Sequence, residues 1–461
     1  MITDFNNSGD GYGLEEDDYR VIPRSRYRKA IRNPFFRALI LEMSLYEDEE
    51  NTYYTGLLNT LSEHIVGTTP LILGDHPSPE VNISVEKAWL DWSAANGIGE
   101  SIRQIRRNAS KMGIGIGIPY NREDSIDEVP LSIRVVKCTD LTSPRGATKY
   151  DRIINGIEYD SNWDPYKIYV STSDSFEPEP YYVKDILFYQ KVIDGDPTLA
   201  APECGPAFCL YPKIRRYMDA IVSGEEFKAS MPMAVELDPN VYTPQDAGIE
   251  GAPKGSMKYK PNTIPTLPPG TKLAGLPPGT SSSDKKAFME LVVAAAARCV
   301  NMPKNIAMAD SSGHNMATAA IDIQPWEDHV KIERFDFKRM VIKLVKMWHE
   351  RAIRTTGYID IRARNKFKFD VAYDKTFQHP DPKKRADSRT VDLKSGSTTL
   401  HRIYTDSGMN VERELNKEAK TLGITRQRLN EMIIATRVSK PDMLMEDAAD
   451  EAVTRRQEDE E

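Results

Sequence analysis

Two segments of the chain repeat apolar residues three and four positions apart. The first spans 54–65, ahead of Gly67, and the second spans 337–352. This spacing predicts amphipathic helices with one buried face. We expect Pro325 to start or kink the helix that carries Phe337. The buried positions of that helix are predicted to be Phe337, Met340, Val341, Leu344, Val345, Trp348 and Ala352.

A third apolar stripe lies on a predicted helix at 284–300. Its members are Phe288, Leu291, Val292, Ala295, Ala296, Cys299 and Val300. They follow helical spacing along one face. Such a stripe needs a partner surface, and we expect a neighbouring copy of the chain to supply it.

Other parts of the chain contain both strand-like and helix-like patterns. Between 131 and 189 the short β-rich stretches 133–136, 167–170 and 186–188 predict a small sheet or sandwich. A helical pattern follows at 212–237. Shorter helical patterns occupy 410–422 and 425–436. The chain is therefore expected to be α+β.

Two segments lack any apolar period. Residues 238–283 are rich in proline and glycine, which predicts a functional projection or a disordered linker. Residues 301–316 are polar and predict a loop between two helices. The acidic stretch 441–461 is expected to be disordered.

The charge and the cysteine content restrict the range of functions that this chain can have. The net charge is −8 over 461 residues, without a Lys/Arg-rich block. This disfavours tight, static DNA binding but is compatible with a channel in which DNA slides. The longest apolar run, 291–297, is too short to cross a membrane. Four cysteines without CxxC spacing are expected to be free thiols.

Catalytic and cofactor motifs are missing from the sequence. No Gly-Lys dipeptide could form a Walker A loop, and Ile353 stands where a zinc protease would need its second histidine after His349-Glu350. The run 113–117 alternates glycine and isoleucine. Because Pro119 follows at once, we interpret it as a tightly packed strand or turn and not as a phosphate loop. No cofactor, metal or catalytic residue is predicted.

Several blocks resemble successive motifs of the lambda-like portal family of tailed phages. They include Arg32-Asn33-Pro34, Ile65-Val66-Gly67, Trp89-Leu90-Asp91-Trp92, Gly156-Ile157-Glu158-Tyr159-Asp160 and Asp381-Pro382-Lys383-Lys384, in the order found in that family. The blocks span most of residues 30–422. Asn315-Met316-Ala317-Thr318-Ala319 departs from the family's "N-Y-S-S-x-R" segment.

The resemblance implies a portal fold assembled as a ring. Residues 1–210 would form the wing, 211–237 and 284–300 two stem helices, and 238–283 the clip between them. The tunnel loop would be 301–316. A long kinked helix and a return to the wing would occupy 317–380, an α-helical crown 381–440 and an acidic tail 441–461.

The resemblance also implies a non-enzymatic function. The subunit would form a ring, similar to a dodecamer, at one capsid vertex for DNA packaging and ejection. Its partners would be the terminase large subunit, the head-completion adaptor, the major capsid protein and double-stranded DNA that passes without sequence-specific contacts. We expect the protein in the virion and, during assembly, in the host cytoplasm, with no membrane partner.

Three groups of candidate site residues follow. Stem packing would use Phe288, Leu291, Val292, Ala295 and Val300. The tunnel loop would offer Lys304, Asn305, His314 and Asn315 to DNA, and clip docking would use Lys254, Lys258 and Lys260. The alternative functions are a packaging-associated nuclease and a monomeric capsid adaptor or scaffold-binding module.

Overall fold

The computed structural model combines helices and strands and describes residues 34–74, 76, 78–122, 129–147, 151–172, 176–193, 195–230, 233–237, 271–275, 282–312, 316–355, 359, 368–373, 382–406 and 411–438. The helices are α1 (Pro34–Glu50), α2 (Thr52–Val66), α3 (Pro79–Ala95), α4 (Ile98–Met112), α5 (Tyr211–Ser230), α6 (Ser282–Ala297), α7 (Lys304–Ala307), α8 (Met316–Arg354), α9 (Pro382–Ser395), α10 (Leu400–Asp406), α11 (Val411–Leu422) and α12 (Arg426–Val438). The strands are β1 (Leu71–Gly74), β2 (Ile114–Tyr120), β3 (Ser132–Val136), β4 (Ile153–Ile154), β5 (Ile157–Tyr159), β6 (Pro165–Val170), β7 (Glu179–Tyr182), β8 (Leu187–Gln190), β9 (Met233–Leu237), β10 (Thr271–Gly275) and β11 (Phe369–Ala372).

The main core is built around α2 and α8. The apolar stripes predicted for both helices are confirmed, since all of their members are buried. Helix α8 begins at Met316, so Pro325 lies inside it and does not start it. Trp348 packs against Trp89 and Trp92 of α3, with ring centroids 5.3 and 6.0 Å away. This tryptophan cluster joins α3 to the long helix.

The three-stranded antiparallel sheet β3-β2-β8 lies directly on α4. A Cβ atom at Gly115 would stand 2.1 Å from the backbone oxygen of Ile105, and one at Gly117 would stand 2.7 Å from the Ile105 side chain. Only glycine permits so close an approach of strand and helix. The interpretation of 113–117 as a tightly packed strand is confirmed.

A second antiparallel sheet has the order β4-β5-β6-β7. Its buried side chains, among them Ile157, Ile168 and Val170, share a core with Ile116 and Val136 of the first sheet. The small sheet predicted within 131–189 is thus confirmed as two adjoining sheets. The pair β1-β11 brings the chain after α8 back to the region of α2 and α3.

The helix predicted to reach residue 237 ends earlier. Helix α5 stops at Ser230, and residues 233–237 form strand β9, which pairs antiparallel with β10 from Leu237↔Thr271 to Gly275↔Met233. Pro232 lacks the amide hydrogen that a continuing helix would need. The predicted helical boundary at 237 was therefore wrong, and part of the predicted clip, 271–275, belongs to a β-ribbon.

The two short C-terminal helical patterns are confirmed as α11 and α12. They share a small core of Leu415, Ala419 and Leu429. The acidic stretch 441–461 lies outside the described residues.

Helix α8 is anchored by four buried or largely buried charges. Arg106 of α4 is fully buried and donates to Glu203 at 2.9 Å and to Glu333 of α8 at 2.8 Å. The Nζ atom of Lys191 lies 3.0 Å from Glu203 and 2.7 Å from Glu333. Two cations thus alternate with two anions, so each charge has two opposite neighbours. We call these four residues the anchor network.

Electrostatics within the anchor network favour its charged form. Burial by itself would raise the pKa of Glu203, but Arg106 and Lys191 outweigh burial and hold that pKa at about 2. A carboxyl whose pKa is lowered on folding stabilises the fold above its usual pKa of 4.5, and this stabilisation is lost as the pH falls towards 2. The network is therefore intact at neutral pH.

We predict that Glu333→Gln destabilises the protein by about 3–5 kcal/mol at pH 7, because it leaves the fully buried Arg106 to share Glu203 with the partly exposed Lys191, so that positive charge is in excess. The matched control is Asp328→Asn on the same helix, whose partner Lys331 lies 3.0 Å away in an exposed ion pair. Its loss should cost less than about 1 kcal/mol. Denaturant unfolding measures both variants, and equal shifts of the two would contradict the anchoring role.

Candidate subunit interface and tunnel loop

Helices α5 and α6 form an antiparallel hairpin. The Tyr217 ring contacts the Phe288 ring with centroids 4.5 Å apart, and Lys285 forms an ion pair with Glu225. Because the residue number rises on α5 as it falls on α6, the helices run in opposite directions. The β9-β10 ribbon lies within the chain segment that joins them. We call α5 and α6 the helical hairpin.

Helix α6 has apolar residues on more than one face. Met289, Val293, Ala296, Ala297 and Val300 are buried in the core of their own chain. Phe288 remains 44% exposed and Leu291 69% exposed. Ala295 is also exposed, and Val292 is half-buried.

The predicted stripe on α6 is therefore partly corrected. Val300 and Ala296 belong to the internal core, together with Met289 and Val293, which the stripe left out. The run 291–297 is apolar at every position, so spacing alone does not single out one buried face. Phe288, Leu291 and Ala295 form the outward face.

Helix α5 also carries exposed apolar residues. Met218 and Val222 lie one helical turn apart and are both exposed, Val222 to 55%. Residues four positions apart share a helix face. The helical hairpin thus presents bulky apolar side chains on both of its helices, and we call these residues, with Phe288, Leu291 and Ala295, the outer hairpin face.

The predicted tunnel loop contains the short helix α7 and is held against α6 by ion pairs. The Nζ atom of Lys304 lies 2.7 Å from Glu290, and that of Lys286 lies 3.1 Å from Asp310. Lys286 also donates to the Ser312 hydroxyl at 3.0 Å. Hydrogen bonds from Ser312 and the Lys286 ammonium lower the pKa of Asp310, so this exposed carboxylate stays charged.

The residues predicted to face DNA differ in their exposure and in their partners. Lys304 is partly exposed but its ammonium is engaged by Glu290. Asn305 is buried, so the expectation that it contacts DNA was wrong: α7 turns its side chain inward. His314, Asn315 and the clip lysines Lys254, Lys258 and Lys260 lie outside the described residues.

The loop is also connected to helix α8. The amide of Asn301 lies 3.5 Å from the Nδ1 atom of His329 on α8. Helix α8 is in turn joined to α2, because the Trp326 indole donates to His64 at 3.1 Å. Burial and the nearby Arg334 guanidinium lower the pKa of His64 to about 4, so the ring is neutral at pH 7 and can accept this bond. The guanidinium of Arg334 caps the carbonyls of His64 and Ile65, at 2.8 and 2.9 Å.

The residues that position the loop could not be identified from the sequence. Lys286 and Glu290 are one helical turn apart on α6, and their oppositely charged pattern is a sequence signal of an exposed helix face. Their contacts with Asp310 and Lys304 span residues that are far apart in sequence. Only the fold brings them together.

Within the described part of the chain, no helix is long and apolar enough to cross a membrane. The same residues contain no group of three His, Cys, Asp or Glu side chains that could hold a metal ion. Cys204, Cys209 and Cys299 are free thiols, and burial raises the pKa of Cys204.

The chain matches the family model described as phage portal protein, lambda family, over residues 44–332. This match covers well over half of the chain, and the protein belongs to the lambda family of phage portal proteins. The family is structural and not enzymatic. No curated protein matches the chain significantly.

Several solved structures are similar to this chain. One is a chain from the neck of an empty gene transfer agent (GTA) particle, with 10% identity, 83% of this chain and 94% of that chain covered, and a TM-score of 0.46. A second is from the virion of a native GTA particle, with 11% identity, coverages of 84% and 99%, and a TM-score of 0.44. A third is an HK97-family phage portal protein from Corynebacterium diphtheriae, with 9% identity, coverages of 60% and 82%, and a TM-score of 0.29.

Proposed function

We propose that copies of this subunit form a closed ring at one capsid vertex, through which DNA enters and leaves the particle. The helical hairpin is the stem, the segment from β9 to β10 is the clip, residues 301–316 are the tunnel loop, and α9–α12 form the crown. The terminase and then the head-completion adaptor dock on the clip, while the wing contacts the major capsid protein. The subunit is thus part of the virion.

The outer hairpin face carries this proposal. Its side chains are apolar, exposed and fixed on two helices that are braced by the Tyr217–Phe288 and Lys285–Glu225 contacts. A neighbouring copy can cover such a face, and a contact repeated by rotation closes a ring. Family membership favours this assembly over a monomeric adaptor.

The tunnel loop is suited to weak contact with passing DNA. Each Lys304 is held by Glu290, so the local charge is largely balanced. Few net positive charges mean few phosphates neutralised, and hence little resistance to sliding. The loop's attachment to α6 keeps it in a defined position along the channel.

We predict that Leu291→Asp breaks the ring into smaller species, because it places an unpaired charge in an apolar contact. Leu291→Met should preserve the ring, since it keeps volume and apolarity. The matched control is Val192→Asp, an exposed apolar position outside the helical hairpin. Native mass measurements and electron microscopy determine the size of the assembly that each variant forms. A wild-type chain that stays monomeric at all concentrations would contradict ring assembly.

The clip should be separable from the rest of the fold. Leu237 and Thr271 are cross-strand partners, so residues 238–270 can be replaced by an Asn-Gly turn that closes the β9-β10 ribbon. We expect this variant to fold and form rings but to lose terminase binding in a pull-down with purified terminase. A second variant, with Lys254, Lys258 and Lys260 all changed to Gln, tests their charges alone. A misfolded deletion variant alongside a triple variant that binds normally would contradict docking through these residues.

Two substitutions distinguish DNA contact from loop positioning at Lys304. Lys304→Ala removes both the cation and its bond to Glu290, whereas Glu290→Gln removes the ion pair but keeps the cation. If Lys304 contacts DNA, Lys304→Ala should shorten packaged DNA or increase leakage, whereas Glu290→Gln, which frees the cation, should retain DNA at least as firmly as the wild type. Assembled particles analysed for genome length at low and moderate salt give the answer. Equal defects in both variants would assign Lys304 to loop positioning alone.

A further inference from the structure

The C-terminal helices contain a local motif that the ring assembly does not require. Helices α10, α11 and α12 pack around Leu415, Ala419 and Leu429, and α9 lies against α12. Ala419 is buried where α11 meets α12, and its small side chain permits a close approach of the two helices. The motif therefore has its own apolar core.

The turn between α11 and α12 is fixed by hydrogen bonds on both sides. Gly423 has φ +67°, and the Ile424 amide donates to the Ala419 carbonyl at 3.0 Å, which closes the end of α11. The Thr425 hydroxyl accepts from the Arg428 amide at 3.3 Å and caps the start of α12. Two helices joined by a three-residue, glycine-containing turn have the connectivity of a helix-turn-helix unit.

The second helix of this unit exposes polar side chains in its N-terminal half. Gln427, Arg428, Asn430 and Glu431 are exposed, while Leu429 between them is buried. Arg428 forms an exposed ion pair with Glu431 at 3.2 Å, and Arg426 lies 3.7 Å from Glu412. Arginine, glutamine and asparagine are the side chains that most often contact phosphates and base edges of DNA.

The C-terminal helices carry a net positive charge. Residues 382–438 contain 12 Lys and Arg but only 7 Asp and Glu, in a chain whose net charge is −8. A segment with a net positive charge attracts a polyanion by charge complementarity. The polyanion that a helix-turn-helix surface fits is duplex DNA.

We propose that the C-terminal helices bind duplex DNA, with the N-terminal half of α12 facing a groove and Arg428 on a phosphate. Arg428 and Arg426 already have carboxylate partners, so phosphates must compete with Glu431 and Glu412. Binding is therefore weak for each subunit and sensitive to salt. The DNA-binding surface goes beyond the proposed function; only the identity of the DNA as packaged genome rests on it.

The test uses the full-length protein and a short fluorescent duplex of mixed sequence, with binding followed by anisotropy. Arg428→Gln should weaken binding several-fold at about 50 mM salt and reduce the slope of log K against log salt by about 0.9 for each subunit engaged. Arg428→Lys should retain most of the binding, because the charge remains. Far-ultraviolet circular dichroism checks that the variants keep their helices.

The control is Lys331→Gln on α8. Lys331 is 69% exposed and paired with Asp328 three positions away, and Arg428 is 68% exposed and paired with Glu431 three positions away. Each variant therefore removes one positive charge and one exposed ion pair of the same kind. Equal binding by wild type, Arg428→Gln and Lys331→Gln overturns the inference, as does equal weakening by the two variants.

Native mass measurements on the same samples keep the two proposals apart. Rings whose DNA binding does not depend on Arg428 would overturn this inference and leave the portal function standing. A monomeric chain whose DNA binding still depends on Arg428 would support the inference and overturn ring assembly.

Discussion

The anchor network is the interaction on which the rest of the structure depends. It joins four segments, namely α4, the residue after β8, the stretch before α5, and α8, through charges that lie largely out of water. Two isolated buried charges would be very unfavourable, but an alternating ring of four gives each charge two partners. The network fixes α8 relative to the first sheet, and α8 in turn carries His329 and Trp326 towards the tunnel loop and α2.

From this fixed framework the helical hairpin projects with its outer face uncovered. Its inner side chains, including Met289 and Val293, belong to the main core, so the hairpin cannot swing away to hide Phe288 and Leu291. A rigid apolar face of this kind favours association with a second copy over rearrangement within one chain. The same rigidity extends to the tunnel loop through the Lys304–Glu290 and Lys286–Asp310 pairs.

The structure could be predicted where one segment contains its own signal. The stripes on α2 and α8 consist of large apolar residues separated by polar ones, so their spacing identifies the buried face. The buried face of α6 could not be predicted, because consecutive apolar residues give no preferred side, and neither could β9, because its partner β10 is distant in the chain. The anchor network could not be predicted, because Arg106, Lys191, Glu203 and Glu333 show no common spacing. The inward turn of Asn305 likewise depends on the tertiary position of α7.

The β9-β10 ribbon has a consequence for how this protein can vary between phages. Leu237 and Thr271 face each other across the ribbon, so the two ends of the segment between them are held about 5 Å apart whatever that segment contains. The entropy of closing a loop rises only slowly with its length. Insertions, deletions or wholesale exchange of 238–270 therefore need not disturb the helical hairpin. If this segment docks partners as proposed, natural selection can change the partner without altering the contacts between subunits.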